Sequence, residues 1–77
     1  MMKQVIVYGS GCKNCTVTEE KIKAFAAAQG ISINVKKETN LMEIMNAGVM
    51  STPGVSVDGQ VVHTGSVPNE AEIAQFL

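Results

Sequence analysis

The sequence predicts an α/β fold in the order β-α-β-α-β-β-α, with a four-stranded mixed sheet and helices on both faces. Three observations lead there. Val5-Ile6-Val7-Tyr8 is short, β-branched and apolar on both faces, the pattern of a strand covered on both sides. A helical stretch and a second strand follow, and strand–helix–strand over roughly 30 residues is a parallel, right-handed βαβ unit. Near the C-terminal end, Asp58-Gly59 lies between the alternating runs Val55-Ser56-Val57 and Gln60-Val61-Val62. That pair favours a type I′ turn and an antiparallel hairpin.

After the first strand, Gly9-Ser10-Gly11 breaks the pattern. From Cys12 to Gln29 the chain reads as a helix, with Gly30 just past its end. Cys15, Ile22, Phe25 and Ala26 follow helical spacing toward a core, while Lys13, Glu19, Glu20 and Lys23 face water. Ile31, Ile33 and Val35 alternate with Ser32, Asn34 and Lys36, as in a strand with one wet face nearer a sheet edge. Lys36-Lys37 reads as its solvated end. Asn40 and Glu43 offer a capping box for a short helix that turns Leu41, Ile44 and Met45 inward and stops at Gly48. Thr52-Pro53 lies in the connection to the hairpin. Asn69 and Glu72 repeat the capping box, and Ile73, Phe76 and Leu77 form the inner stripe of a last helix. His63, in or just after a hairpin strand, reads as a solvated side chain. Tyr8 reads as a packing residue with a wet hydroxyl.

The 77 residues suffice for a single domain, 1–77. With 45% hydrophobic and 17% charged residues, disorder is excluded. Six basic against seven acidic side chains give a net charge of −1, which argues against nucleic acid as a partner. The apolar runs fall far short of the ~20 residues that span a bilayer, so no membrane partner is expected. The start Met1-Met2-Lys3-Gln4 lacks the apolar stretch and cleavage site of a secretory signal, and the expected location is cytoplasmic.

Cys12 and Cys15 are the only two cysteines and His63 is the only histidine. Two thiols cannot complete a four-cysteine zinc site or hold an iron–sulfur cluster in one chain, so no metal is expected. A disulfide across so small a loop is worth only about 2 kcal/mol in chain entropy, a poor reason for the pair to exist. In a reducing compartment, C-x-x-C is more often catalytic, redox-sensing or metal-binding than structural. Here the pair sits where a strand hands over to a helix. A helix start carries partial positive charge and unpaired N–H groups, which can bring a cysteine pKa into roughly the 3.5–7.5 range. Lys13 adds a cation beside it. Cys15, three residues on, lies on nearly the same face one turn deeper. Cys12 is thus the expected nucleophile and Cys15 the resolving thiol of dithiol–disulfide exchange. Met42, Met45 and Met50 read as core filling or as an adaptable surface near the site rather than as copper ligands.

Val5 to Cys15 with its following helix, Ser51-Thr52-Pro53 and the Asp58-Gly59 hairpin together resemble the thioredoxin superfamily. More narrowly, they resemble its small microbial redox-active disulfide group. The resemblance covers nearly the whole chain and implies a thioredoxin-like fold. It further implies that Thr52-Pro53 faces the cysteines across a cis peptide bond and docks substrate. Lys13 and Asn14, which lie between the two cysteines, are expected to modulate the dithiol. The chain departs from thioredoxin proper in its Gly-Cys-Lys-Asn-Cys sequence, in having no tryptophan, and in lacking a buried acid in the first strand.

Two other functions fit a C-x-x-C of this placement. A Cu(I) chaperone module has the order β-α-β-β-α-β and a Met-Thr/His-Cys-x-x-Cys loop, whereas Gly9-Ser10-Gly11 precedes Cys12 here. A glutathione-dependent glutaredoxin would carry a Gly-Gly-type turn after the hairpin, matched only in part by His63-Thr64-Gly65-Ser66. A non-enzymatic sensor or adaptor is a third class. The reading taken forward is a protein-disulfide oxidoreductase that needs no bound cofactor. Its partners are a disulfide-containing client and a reductase that the sequence does not identify.

Overall fold

β1 (Lys3–Tyr8) lies inside the sheet, and its period-two alternation decides what covers each face. Val5 and Val7 join Cys15, Ile22, Val55 and Ile73 in the main core. Tyr8, on the other face, joins Ile44 and Val49 in a second cluster, with Ile6 packed against it. The structure, a computed structural model, describes residues 2–9 and 13–77. The further elements are α1 (Lys13–Gln29), β2 (Ile33–Glu38), α2 (Leu41–Asn46), β3 (Gly54–Val57), β4 (Gln60–Thr64) and α3 (Glu70–Phe76). Across the sheet the order is β2-β1-β3-β4. β1 and β2 are parallel; β3 is antiparallel to both β1 and β4. α1 and α3 cover the Val5 face and α2 covers the Tyr8 face, as the hydrophobic patterns predict. The intervening α2 and the closing α3 set this order apart from the β-α-β-β-α-β of copper modules.

Apolar spacing explains α1. Its buried residues Cys15, Thr18, Ile22 and Ala26 recur every three or four positions, one stripe of a 3.6-residue helix. At its end, Gly30 N–H donates to Ala27 O and Ile31 N–H to Ala26 O. This use of Ile31 in the cap delays β2 to Ile33, two residues later than the alternation suggests. β2 in turn runs on through the exposed Lys36 and Lys37 to Glu38. In the hairpin, Asp58 and Gly59 both have positive φ, +51° and +86°, as a type I′ turn requires. Asp58 also accepts the Gln4 N–H at Oδ1 (2.9 Å), and its own N–H donates to Gln4 O (2.8 Å). The turn is thereby tied to the start of β1.

α2 differs from expectation. Leu41 and Met45 are each 66% exposed, and only Ile44 is buried. Six residues make fewer than two turns, so the stripe facing the sheet holds a single side chain. Val49 supplies the rest of the contact. Gly48, at φ +85°, forms the left-handed end that turns Val49 back under the helix, with Val49 N–H bonded to Ile44 O.

The two expected capping boxes also separate. Asn40 accepts the Met42 N–H at 2.9 Å, but its own N–H goes to Glu38 Oε1, which is nearer in the chain than Glu43. At α3 the box is complete: Glu72 N–H donates to Asn69 Oδ1 (2.8 Å) and Asn69 N–H to Glu72 Oε1 (3.0 Å). Asn69→Ala is expected to cost about 1 kcal/mol and lower the thermal midpoint by roughly 4–8 °C. An unchanged midpoint in a calorimetric scan would show that the cap contributes nothing.

Two side chains are less solvated than their residue types suggest. The Tyr8 hydroxyl is buried, 3.3 Å from Ser56 Oγ, because β3 places Ser56 beside it on the same face. His63 lies in β4 with its side chain 13% exposed. Its Nε2 is 3.1 Å from Ser66 Oγ and its Nδ1 3.5 Å from Glu72 Oε2, so the start of α3 closes over the ring.

Candidate active site

β1 ends at Tyr8 and α1 begins at Lys13, and the strand end lies against the first helical turn. Cys15 is in that first turn on the buried stripe, with no exposed surface. Its Sγ is 3.9 Å from the Tyr8 carbonyl oxygen, an acceptor for the S–H group. Gly9 lies directly against the sulfur. A methyl group built on Gly9 would overlap Cys15 Sγ, lie 3.1 Å from Cys15 Cβ and lie 3.7 Å from Thr52 Cβ. Cys15 and Thr52, some 37 positions apart in sequence, therefore both stand close to the Gly9 α-carbon. A hydrogen bond from Gly9 N–H to Glu38 O (2.9 Å) holds this glycine to the end of β2.

The Thr52–Pro53 peptide is cis. Pro53 is buried, and its carbonyl accepts the Gly65 N–H at 3.0 Å, anchoring the loop to the end of β4. Thr52 itself is exposed. Gly54, which follows, has no room for a side chain: an added Cβ would sit 2.6 Å from Val49 Cγ1. The loop is thus fixed from both sides while Thr52 keeps one face open.

Lys13 and Asn14 are exposed in the first turn of α1. That turn holds no acid, and Lys37 reaches it from β2 by donating to Thr16 Oγ1 at 3.3 Å. The surroundings therefore favour negative charge at this end of the helix. Asn14 has a structural task as well, since its carbonyl accepts the Thr18 hydroxyl at 2.7 Å. Thr18 is fully buried one turn beyond Cys15, and this bond satisfies its oxygen.

Of the residues singled out in the sequence, the structure places Cys15 and Thr52 close to Gly9, with Pro53 next to Thr52 and with Lys13 and Asn14 in the same helical turn as Cys15. Cys12 lies outside the described residues. Sequence reasoning missed Gly9 and Thr18. Gly9 reads only as a strand breaker, although a glycine just ahead of C-x-x-C hints at a close approach. Thr18 is a polar residue at a position of the apolar stripe, a signal visible from spacing alone. Among the described residues, no three His, Cys, Asp or Glu side chains gather as a metal site.

Comparison with known proteins agrees with this geometry. The family model described as "Thioredoxin domain" matches residues 2–77. A protein named thioredoxin from Methanothermobacter thermautotrophicus is 32% identical over 76 residues, spanning 99% of both chains. Another thioredoxin, from Methanocaldococcus jannaschii, is 34% identical over 77 residues, covering all of this chain and 88% of that one. The chain belongs to the thioredoxin family, and that membership supports thiol–disulfide oxidoreductase as its general function.

Proposed function

We propose that the chain performs dithiol–disulfide exchange through Cys12 and Cys15, with Cys12 attacking first. The observation that carries this reading is the position of Cys15. A sulfur with no exposed surface, packed against Gly9, is closed to an external disulfide, which suits a resolving thiol rather than an attacking one. α1 begins at the residue after Cys12 in the chain, and the positive end of a 17-residue helix favours a thiolate there.

Exchange then proceeds in two displacements. The Cys12 thiolate bonds to one sulfur of the client disulfide, and the other client sulfur leaves as a thiolate that takes up a proton. Cys15 gives up its proton, attacks Cys12 and closes the internal disulfide. The second client sulfur leaves as a thiol, so two electrons and two protons have passed to the client. A separate reductase restores the dithiol. Thr52 supplies the exposed edge on which an extended client segment lies, and Pro53 backs it. Lys13 and Asn14 modulate the thiolate from the first helical turn.

The setting is a reducing compartment, the cytoplasm by default. Among the described residues, no helix is long and apolar enough to cross a membrane.

Trapping tests the assignment. Cys15→Ser is expected to accumulate a mixed disulfide through Cys12, which non-reducing electrophoresis detects. Cys12→Ser is expected to accumulate none. Equal trapping by both variants, or by neither, contradicts the assigned roles.

A further inference from the structure

The apolar side chains that α2 leaves outside the core are mostly thioethers. Met42 is 67% exposed, Met45 66% and Met50 96%. Met45 and Met50 line a groove floored by Ile44 and Val49, and Thr52 forms part of its wall. The groove therefore reaches Thr52, which with Cys15 stands close to Gly9. Methionine suits a surface that must accommodate varied apolar partners, because it is flexible and polarisable. It is also the apolar side chain that oxidants convert to a polar one.

Resting on the exchange reading above, we propose that Met45 and Met50 are modification sites whose oxidation to sulfoxides regulates exchange with protein clients. The occupant of the groove is the apolar segment flanking a client disulfide, which must cross Thr52 to reach the dithiol. In the modification, each thioether sulfur gives up two electrons to a peroxide and keeps one of its oxygens; the other oxygen leaves as water. The Cys15 sulfur, with no exposed surface, is shielded from the same reagent. The sulfoxide oxygen needs a hydrogen-bond donor that an apolar client segment does not offer, so docking weakens. Small disulfides, which do not span the groove, escape this effect. Oxidation of Cys12 by the same peroxide as far as a sulfenic acid or disulfide is reversed by thiol reductants, which leave the sulfoxides in place. Met2, 54% exposed in a different pocket with Ile33 and Val35, is an internal control.

The test uses the full chain. Its thiols are blocked with methyl methanethiosulfonate, the protein is treated with hydrogen peroxide, and the thiols are freed with dithiothreitol, which leaves sulfoxides in place. Peptide mass mapping scores oxygen addition at each methionine. Exchange is then measured with insulin as the protein disulfide and with 5,5′-dithiobis(2-nitrobenzoic acid) as the small one. With Met45 and Met50 oxidised, insulin reduction is expected to fall at least about fivefold and the small-disulfide rate to change less than about twofold. Treatment with methionine sulfoxide reductases is expected to restore the insulin rate. A double Met→Leu variant at these positions is expected to give the same insulin rate before and after peroxide, whatever that rate is. An unchanged insulin rate after full oxidation overturns the proposal, as does an equal fall for both disulfides or an equal peroxide loss in the leucine variant. An untreated protein that reduces neither disulfide overturns the exchange reading itself, and this inference with it.

Discussion

Gly9→Ala is expected to lose about 3 kcal/mol of stability and to slow disulfide exchange about 100-fold. The added methyl overlaps the Cys15 sulfur and crowds Cys15 Cβ at 3.1 Å. Neither backbone can give way easily, since Cys15 is buried in the first turn of α1 and Gly9 is held to Glu38 O. The sulfur must move off its line, and displacement by an ångström is enough to disable a positioned reacting group. Urea unfolding followed by circular dichroism reads the stability, and insulin reduction reads the exchange. A variant that exchanges at the parent rate would show that Gly9 does not seat Cys15.

Ile22→Ala tests the core that supports this seat. Ile22 is fully buried between α1 and the β1–β3 face, in the cluster that includes Cys15 and Ile73. Removing three carbons there costs the transfer energy and leaves a cavity, together about 3 kcal/mol and roughly 15 °C in thermal midpoint. That is a large share of the 5–15 kcal/mol typical of a small domain. Leu41→Ala, an apolar truncation at a residue 66% exposed, is expected to stay within about 0.5 kcal/mol. Similar losses in the two variants would mean that the core assignment is wrong.

Most of the fold was legible because periodicity and turn chemistry agree. Val5 to Tyr8 read as a two-faced strand, and the structure gives each face its own cluster. Asp58-Gly59 read as a type I′ turn, and both residues have the required φ. α2 misled because six residues are too few to show a reliable stripe, and Leu41 and Met45 look like core residues by type alone. Glu38 took the cap expected of Glu43 because it stands only two residues before Asn40, a local competitor that the capping-box spacing does not consider. His63 and Tyr8 found partners in Glu72 and Ser56 that are neighbours only after the sheet and α3 assemble, and His63 also meets Ser66 three residues on.

The site was legible where spacing carries chemistry and illegible where shape does. Cys15 falls on the buried stripe by counting residues. Thr52 and Pro53 came from family resemblance, since nothing local marks residue 52 as a neighbour of residue 15. Gly9 acts by what it lacks, and only the approach of the Cys15 sulfur gives that absence meaning.

The division of labour between an attacking and a shielded sulfur is most directly tested by alkylating the reduced protein at pH 7 with iodoacetamide and following each cysteine by peptide mass. Cys12 is expected to be modified at least about 100-fold faster than Cys15, whose reaction should wait on unfolding. Equal rates, or faster modification of Cys15, would contradict the account.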